Sequence, residues 1–500
     1  MQLGFCPTVL LCNKTAFKEA FVKKSKDFIA RPKTQTILRS LDNLTGIVFC
    51  DDTEQYIKNR RLTMTAFHRF LRDQKNMDSI MQMEVNKTKE YFDGCVEASS
   101  STTEVISANL ERKDPVSSTK TTMFVGEIHG DNIERNGEAG STKTTSGIDI
   151  LARKGNFYPM DIFPPITLSM NLSMIFGLDL AYEDPDLKHM VSTFRSWFDA
   201  TEPDNPVDFF PLLAKFPNKR LETVSQTIKE VERFHVEMVK DRVEILMDEN
   251  NKKNPTSSIH NAILDMIASE DLATFKDEEY CREVAKLCYE LIGAGFDTVA
   301  TALSWAVLYL IENPEVVQRC RAELTQKTTT STTPLLNDKG EFDDEDLLSL
   351  ESKTQFPYFM ATLFEVLRKS TPSPMGIPHL TKCDTSVQGY HIPKDTTVIP
   401  NLRQINNDAE DWPKPHEFRP ERFLRDDGSV DTRACNEIAT FSAGIRRCPG
   451  DKVAITMIFV LLGTLIKRYD FEMVKPPIDM EPMRGLTAKP KHYLVKVNSV

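Results

Sequence analysis

The run Phe441-Ser442-Ala443-Gly444-Ile445-Arg446-Arg447-Cys448-Pro449-Gly450 holds the residue types and spacing best suited to chemistry in this chain. Gly444 allows a backbone turn that a side chain would block, and Gly450 allows close approach just past the sulfur. Pro449 suits the first position of a helix running to about Lys467. Cys448 then stands at a helix amino-terminus, where unpaired N–H groups and the dipole favour a thiolate, and a thiolate is a metal ligand. Phe441 can shield the sulfur side of a macrocycle, and Arg446 can reach an acidic substituent on its edge. A single thiolate suits haem iron better than zinc, which takes three or four protein ligands at tight spacing.

A second candidate is Gly293-Ala294-Gly295-Phe296-Asp297-Thr298, inside a long apolar helix. Each glycine there costs about 1 kcal/mol relative to alanine, so something needs the bare backbone. Glu365 and Arg368, three apart, share a helix face and can pair.

The spacing Phe441-x-x-Gly444-x-Arg446-x-Cys448-x-Gly450 resembles the haem-binding signature of the cytochrome P450 family and matches it at all five fixed positions. The resemblance implies haem b with Cys448 as axial ligand to iron. It implies that Asp297 feeds protons from solvent and that the Thr298 hydroxyl serves the bound oxygen. Glu365, Arg368 and Arg422, the last in Pro420-Glu421-Arg422-Phe423, resemble the family's buried structural triad, with a role in folding and haem retention. Arg60 and His379 resemble propionate partners, although Tyr56 stands where the family usually carries Trp. The wording Asn205-Pro206-Val207-Asp208-Phe209-Phe210-Pro211 is most similar to animal microsomal members that oxidise aromatic hydrocarbons, drugs and steroids.

These residues need elements to hold them. Helical periodicity predicts helices over Glu54 to Leu71, Met77 to Val96, Pro159 to Phe176, Lys188 to Thr201, Arg220 to Asn250, Glu278 to Ile311 and Phe359 to Lys369. A small mixed sheet is expected between Met1 and about Ile47, around Thr8 to Leu11. A second β element is expected among the prolines and glycines after Pro372, around Val387 and Thr396 to Ile399. The expected fold is a single, mainly α domain with a small β region over 1–500, the cytochrome P450 fold, with haem between the long central helix and the Cys448 loop. Residues 99–147 read as a disordered surface insertion foreign to the family pattern, and 326–345 as a flexible loop.

Composition narrows the partners. The net charge of −11, from 62 Lys+Arg against 73 Asp+Glu, provides no overall basic field for nucleic acid. The ten cysteines are scattered, as in a cytosol-facing protein with reduced thiols. Leu291 to Ile311 is long enough to span a membrane, but Asp297 near its middle would cost about 2.5–3.5 kcal/mol there, so a buried helix is expected. No signal peptide or amino-terminal anchor is visible, whereas microsomal members of the family start with one.

The expected activity inserts one atom of dioxygen into a small hydrophobic substrate, with electrons from NADPH through a flavoprotein reductase. The resemblance implies the cytosolic face of the endoplasmic reticulum membrane. Lys58, Arg60, Arg61, Arg69, Arg447 and Lys452 offer a basic docking face for the reductase. The alternatives are a haem-thiolate isomerase or peroxide-driven enzyme, a non-catalytic haem-binding protein, and a single-pass membrane protein without haem.

Overall fold

The computed structural model describes all residues except 41–45, 52, 112–154, 203, 248–277, 329–347, 349 and 476–478. Its centre is a helix read from the sequence as the long apolar one, Glu278–Glu312, the sixth of the longer helices and here α6. Before it come α1 (Thr53–Arg72), α2 (Gln74–Glu111), α3 (Pro159–Phe176), α4 (Pro185–Ala200) and α5 (Lys219–Met247). After it come α7 (Pro314–Thr328), α8 (Pro357–Ser370) and α9 (Asp451–Arg468).

Helix α3 is apolar on nearly every face and is buried from Ile162 to Phe176 apart from Pro165, as a helix inside a core must be. Pro159 opens it, and it ends on Gly177 at φ 65°, where the Gly177 N–H donates to Ser173 and the Leu178 N–H to Leu172. Helix α6 packs along α3 and runs on against α5, α8 and α9, inside one cluster of buried apolar side chains. Among the described residues α6 is the one helix long and apolar enough to cross a membrane, and it lies mostly buried within the protein.

Strands β1 (Gln2–Leu3), β2 (Cys6–Leu11), β4 (His379–Leu380) and β7 (Thr397–Pro400) form one sheet in the order β1-β2-β7-β4. Strand β2 runs parallel to β7, Thr8 opposite Thr397 and Leu11 opposite Pro400. The amino-terminal strand and the strand after Pro372, expected as two separate β elements, are therefore neighbours. Strands β5 (Thr385–Val387) and β6 (Tyr390–Ile392) make a hairpin, and β3 (Asn156–Phe157), β9 (Val495–Ser499) and β8 (Tyr469–Met473) a third sheet.

The predicted helices all form, most with ends shifted by three residues or fewer, and the last three residues of the helix expected over Arg220 to Asn250 lie outside the described residues. Helix α2 continues to Glu111, into the segment read as an insertion, and 112–147 lies outside the described residues. Helix α7, polar overall, has no counterpart among the predicted helices and ends at Thr328; residues 329–345 of the expected loop also lie outside the described residues. Its inward stripe is only Val316, Cys320 and Leu324, too thin for apolar periodicity to signal.

Candidate functional site

The Cys448 loop is held by its own backbone. The Cys448 N–H donates to the Phe441 carbonyl at 2.9 Å, and Gly444 sits at φ 68°. A Cβ at Gly444 would lie 1.5 Å from the Phe21 carbonyl oxygen, so no other residue fits without moving that strand of chain. Helix α9 begins at Asp451 with Gly450 as its cap, two residues later than expected, so Pro449 lies before the helix instead of at its first position. Pro449 and Gly450 form the turn that separates the sulfur from the first helical residue. The Gly450 N–H still points at the sulfur, but burial dominates and pushes the Cys448 thiol up to about 11. The polypeptide alone keeps this sulfur as a thiol, and a metal binding there displaces the proton.

Cys448 opens onto an internal cavity of about 280 Å³ between the loop and α6. Its walls are largely apolar, with Phe67, Met174, Leu291, Val299, Ala302, Ile377, Val453 and Met457. Thr298, Ala294 and Gly295 face it from α6, and Phe441, Arg446, Arg60 and His379 line it elsewhere. The Thr298 hydroxyl donates to the Ala294 carbonyl at 2.7 Å, which leaves its lone pairs toward the cavity. Asp297 does not line the cavity; it is buried behind it.

Close neighbours account for the bare backbone of α6. A Cβ on Gly293 would press on the Phe194 ring of α4 at 3.2 Å, and one on Gly295 would lie 2.6 Å from Asn171 Oδ1 of α3. Both serve close helix packing, and Ala294 and Gly295 are the small residues of α6 that line the cavity.

One end of the cavity is cationic. Arg446 is buried and donates to the carbonyls of Ile29, Ile47 and Cys50, with its guanidinium 3.5 Å above the Tyr56 ring. Arg31, also buried, donates to the carbonyls of Val48, Ile377 and Pro378. Among the described residues neither guanidinium has a carboxylate within ion-pair distance. Burial lowers the pKa of both, Arg31 far more, and their mutual repulsion adds to the Arg31 shift. His379 stacks on Phe21 at 4.0 Å and donates from Nδ1 to the Phe28 carbonyl, which leaves only Nε2 for a ligand. Burial and then Arg31 push its pKa well down, so it is neutral until an acidic group arrives. Arg60 donates to the Arg447 carbonyl at 2.7 Å, and the Tyr56 hydroxyl donates to the Ile445 carbonyl at 2.7 Å. Tyr56 therefore spends its hydroxyl on bracing the loop while the residue still lines the cavity.

Two residues at this end went unread in the sequence, Arg31 and Glu290. Glu290 lines the cavity from α6 and accepts the N–H groups of Ile47 and Val48, fixing that segment over the site; burial raises its pKa against those bonds. An acid inside an apolar helical stretch was the available signal, whereas nothing in Ala30-Arg31-Pro32 marks Arg31.

Glu365, Arg368 and Arg422 come together away from the cavity. Arg368 grips Glu365 through Nε at 2.7 Å and Nη2 at 2.8 Å, and Arg422 Nε reaches Glu365 at 3.3 Å.

A cysteine, a threonine-bearing helix and a cationic rim around one cavity suit a flat acidic macrocycle, and comparison with known proteins decides the family. The Cytochrome P450 family model matches residues 1–116 and 143–497. This chain belongs to the cytochrome P450 family. Among its relatives, cytochrome P450 1A5 of Gallus gallus is 28% identical over 99% of this chain and 82% of its own length. Human cytochrome P450 1A1 is 26% identical over 100% and 85%. Cytochrome P450 1A1 of Felis catus is 30% identical over 70% of this chain and 65% of its own length. The gap in the family match, 117–142, falls inside the segment read as an insertion.

As a cytochrome P450 the protein is an oxidoreductase with monooxygenase activity, and the family's cofactor is haem b, bound through a cysteine thiolate. The residues present fit that group. Glu290 and Asp51 act on these guanidiniums only at a distance, so two buried cations without a direct ion pair among the described residues suit the acidic edge of a ligand. The apolar walls suit the ring, and a Cβ at Gly450 would meet no protein atom within 4 Å.

Proposed function

We propose that Cys448 supplies the thiolate and that the cavity takes small apolar organic molecules, aromatic or steroid-like, for insertion of one oxygen atom. The observation that carries this reading is the cavity itself, which brings Cys448, Thr298 and two buried guanidiniums without a direct ion pair among the described residues to one largely apolar space. Haem, when bound, supplies the iron-centred activation of dioxygen. Arg31, Arg446, Arg60 and His379 would hold its acidic edge, and Phe441 would shield the sulfur side. Thr298 offers a hydroxyl toward the cavity, and Asp297, one residue earlier, supplies protons from behind α6.

The test is product analysis of the haem-loaded protein with an NADPH-dependent flavoprotein reductase and a polycyclic aromatic substrate. A hydroxylated product carrying one atom of labelled dioxygen is expected. Thr298→Val is expected to lower product per NADPH about ten-fold while NADPH consumption continues. Absence of labelled product from wild-type protein, or a valine variant with unchanged yield, would count against the reading.

The reductase is proposed to dock by α1 and the start of α9. Lys58, Arg61 and Arg69 are exposed on α1 at helical spacing, and Lys452 is exposed on α9. Two members of the expected basic face are engaged otherwise: Arg60 turns in to the Arg447 carbonyl, and Arg447 pairs with Asp451 at 3.0 Å. The double variant Arg61→Glu with Lys452→Glu should raise the reductase concentration at half-maximal turnover about ten-fold at low salt, with less difference at high salt. Unchanged turnover and salt dependence would exclude this face.

The membrane reading rests on a patch of exposed apolar side chains: Met1, Phe5, Phe210, Leu212, Leu213 and Phe216. The turn between β1 and β2 is tied to 206–216 by the Phe5 N–H on the Phe209 carbonyl and by Phe5 against Phe210, so the patch is one surface. It supports seating on a lipid surface, the endoplasmic reticulum by resemblance. Cosedimentation with phosphatidylcholine vesicles should fall several-fold in Leu212→Ser with Phe216→Ser, since each buried apolar side chain contributes about 1.5–3 kcal/mol; equal binding would dismiss the patch.

A further inference from the structure

His235 on α5 is fully buried, and half of its hydrogen-bonding capacity is unmet. Nδ1 donates to the Val231 carbonyl, one turn back, at 2.7 Å. That bond fixes the tautomer, so Nε2 carries a bare lone pair, and among the described residues nothing donates to it. Rings from four helices enclose the imidazole. Between centroids, Phe176 of α3 lies at 5.9 Å, Phe194 of α4 at 6.3 Å, Tyr289 of α6 at 6.0 Å and Phe234 of α5 itself at 5.8 Å. Tyr289 is the one titratable group of the four, and Cys288 before it is a buried thiol that burial pushes up, so it carries no charge. On α5 itself Arg233, Glu237 and Lys240 are exposed and Glu232 is half-buried. None of these charges acts on the ring, and burial pushes the imidazole down to about 4 against its single backbone bond.

The enclosure lies where α4 and α5 pack on α3 and α6. Phe194 also rests on Gly293 and on the Phe296 ring of α6, 5.1 Å between centroids. Two of the enclosing residues adjoin the cavity wall along the chain: Met174 and Ile175 precede Phe176, and Glu290 and Leu291 follow Tyr289. A positive charge on this imidazole meets neither water nor a carboxylate, and it is relieved when α5 moves out toward solvent. We propose that His235 is an acid-released latch: neutral, it holds the α4–α5 pair on α3 and α6, and protonated, it lets the pair part from the cavity wall. Closed, the protein keeps the ring neutral; open, the ring protonates at its ordinary 6.5. Closure is therefore at full strength above pH 6.5 and weakens as pH falls toward 4. The latch is a property of the packing and does not depend on the reaction in the cavity.

The experiment is native-state hydrogen exchange on the full haem-loaded chain, read by mass spectrometry in peptides of each helix as protection factors at pH 7 and pH 5. In wild type the protection of α4 and α5 is expected to fall about twenty-fold over that interval, the ratio set by proton uptake between 6.5 and about 4. Protection of α8 and α9 is expected to change less than about three-fold. His235→Phe fills the enclosure without a titrating nitrogen and is expected to hold α4 and α5 within about three-fold. His235→Leu makes the same comparison if the phenylalanine protein does not fold. His189→Asn separates the other imidazole between these helices: His189 meets Glu230 at 2.7 Å on the surface, where positive charge strengthens the pair, so the acid loss is expected to persist in this variant. Unchanged protection of α4 and α5 in wild type overturns the latch. So does an equal loss in the His235 variant, or abolition of the loss by His189→Asn. A loss of the same size in α8 and α9 means acid unfolding of the whole protein and overturns it too.

Discussion

Cys448→Ala protein, supplied with haem during expression, is expected to lack the red-shifted Soret band in the carbon monoxide difference spectrum of its reduced form and to lose turnover by more than about a thousandfold. Among the cavity-lining residues Cys448 is the one thiol, so no other thiolate can take its place; the Met174 and Met457 sulfurs are uncharged thioethers. The one imidazole that lines the cavity is that of His379, whose Nδ1 is committed to the Phe28 carbonyl and whose ring is pinned against Phe21. Arg31 and Arg446 both act on this imidazole electrostatically and disfavour added positive charge on it. The rim cations are untouched by the substitution, so some haem can still be retained by its acidic edge, but with a different spectrum. A purified alanine variant with the spectrum of wild type would remove the basis for reading this cavity as a haem-thiolate site.

Much of the site was legible because its chemistry is local. The Cys448 loop carries its glycines, arginine and sulfur within ten consecutive positions, and the reasons for Gly444 can be stated without knowing what lies opposite. Glu365 and Arg368 share one helical turn. The long helices were legible from apolar periodicity, and α3 was read to the residue. What the sequence withheld depends on distant chain. The parallel pairing of β2 with β7 joins positions 8–11 to 397–400. Gly293 and Gly295 called for some close neighbour, and those neighbours are Phe194 and Asn171, which no local pattern names. Arg31 has meaning only beside Arg446 and His379, and Asp297 only beside Thr487 and Lys489. The start of α9 was misjudged because Pro suits both the first helical position and the turn before a cap.

The cluster around Glu365 yields the largest expected loss of stability, and it reaches the Cys448 loop. Arg368 is fully buried and makes two charge-assisted bonds to Glu365, with further bonds to the carbonyls of Asn406 at 2.8 Å and Pro415 at 2.9 Å. Asn406 in turn accepts the Ala439 N–H at 2.8 Å and donates to the Thr440 hydroxyl at 2.9 Å, directly before Phe441. Arg368→Ala leaves the Glu365 carboxylate buried with only Arg422 and the Arg419 N–H, and frees the carbonyls that shape the approach to the loop. The expected cost is about 3–5 kcal/mol in chemical denaturation, the penalty for breaking a buried charge pair. Arg422→Ala removes one longer bond to Glu365 and bonds to the Pro413, Lys414 and Glu417 carbonyls that lie nearer solvent, and should cost only about 1.5–3 kcal/mol. Because Asn406 links the cluster to Thr440, Arg368→Ala should also release haem to excess apomyoglobin at least about ten-fold faster than wild type, with Arg422→Ala between them. Equal haem release in all three proteins would mean that the cluster stabilises the fold without steadying the loop, and equal stability of the two variants would mean that the burial of Arg368 is not what sets its weight.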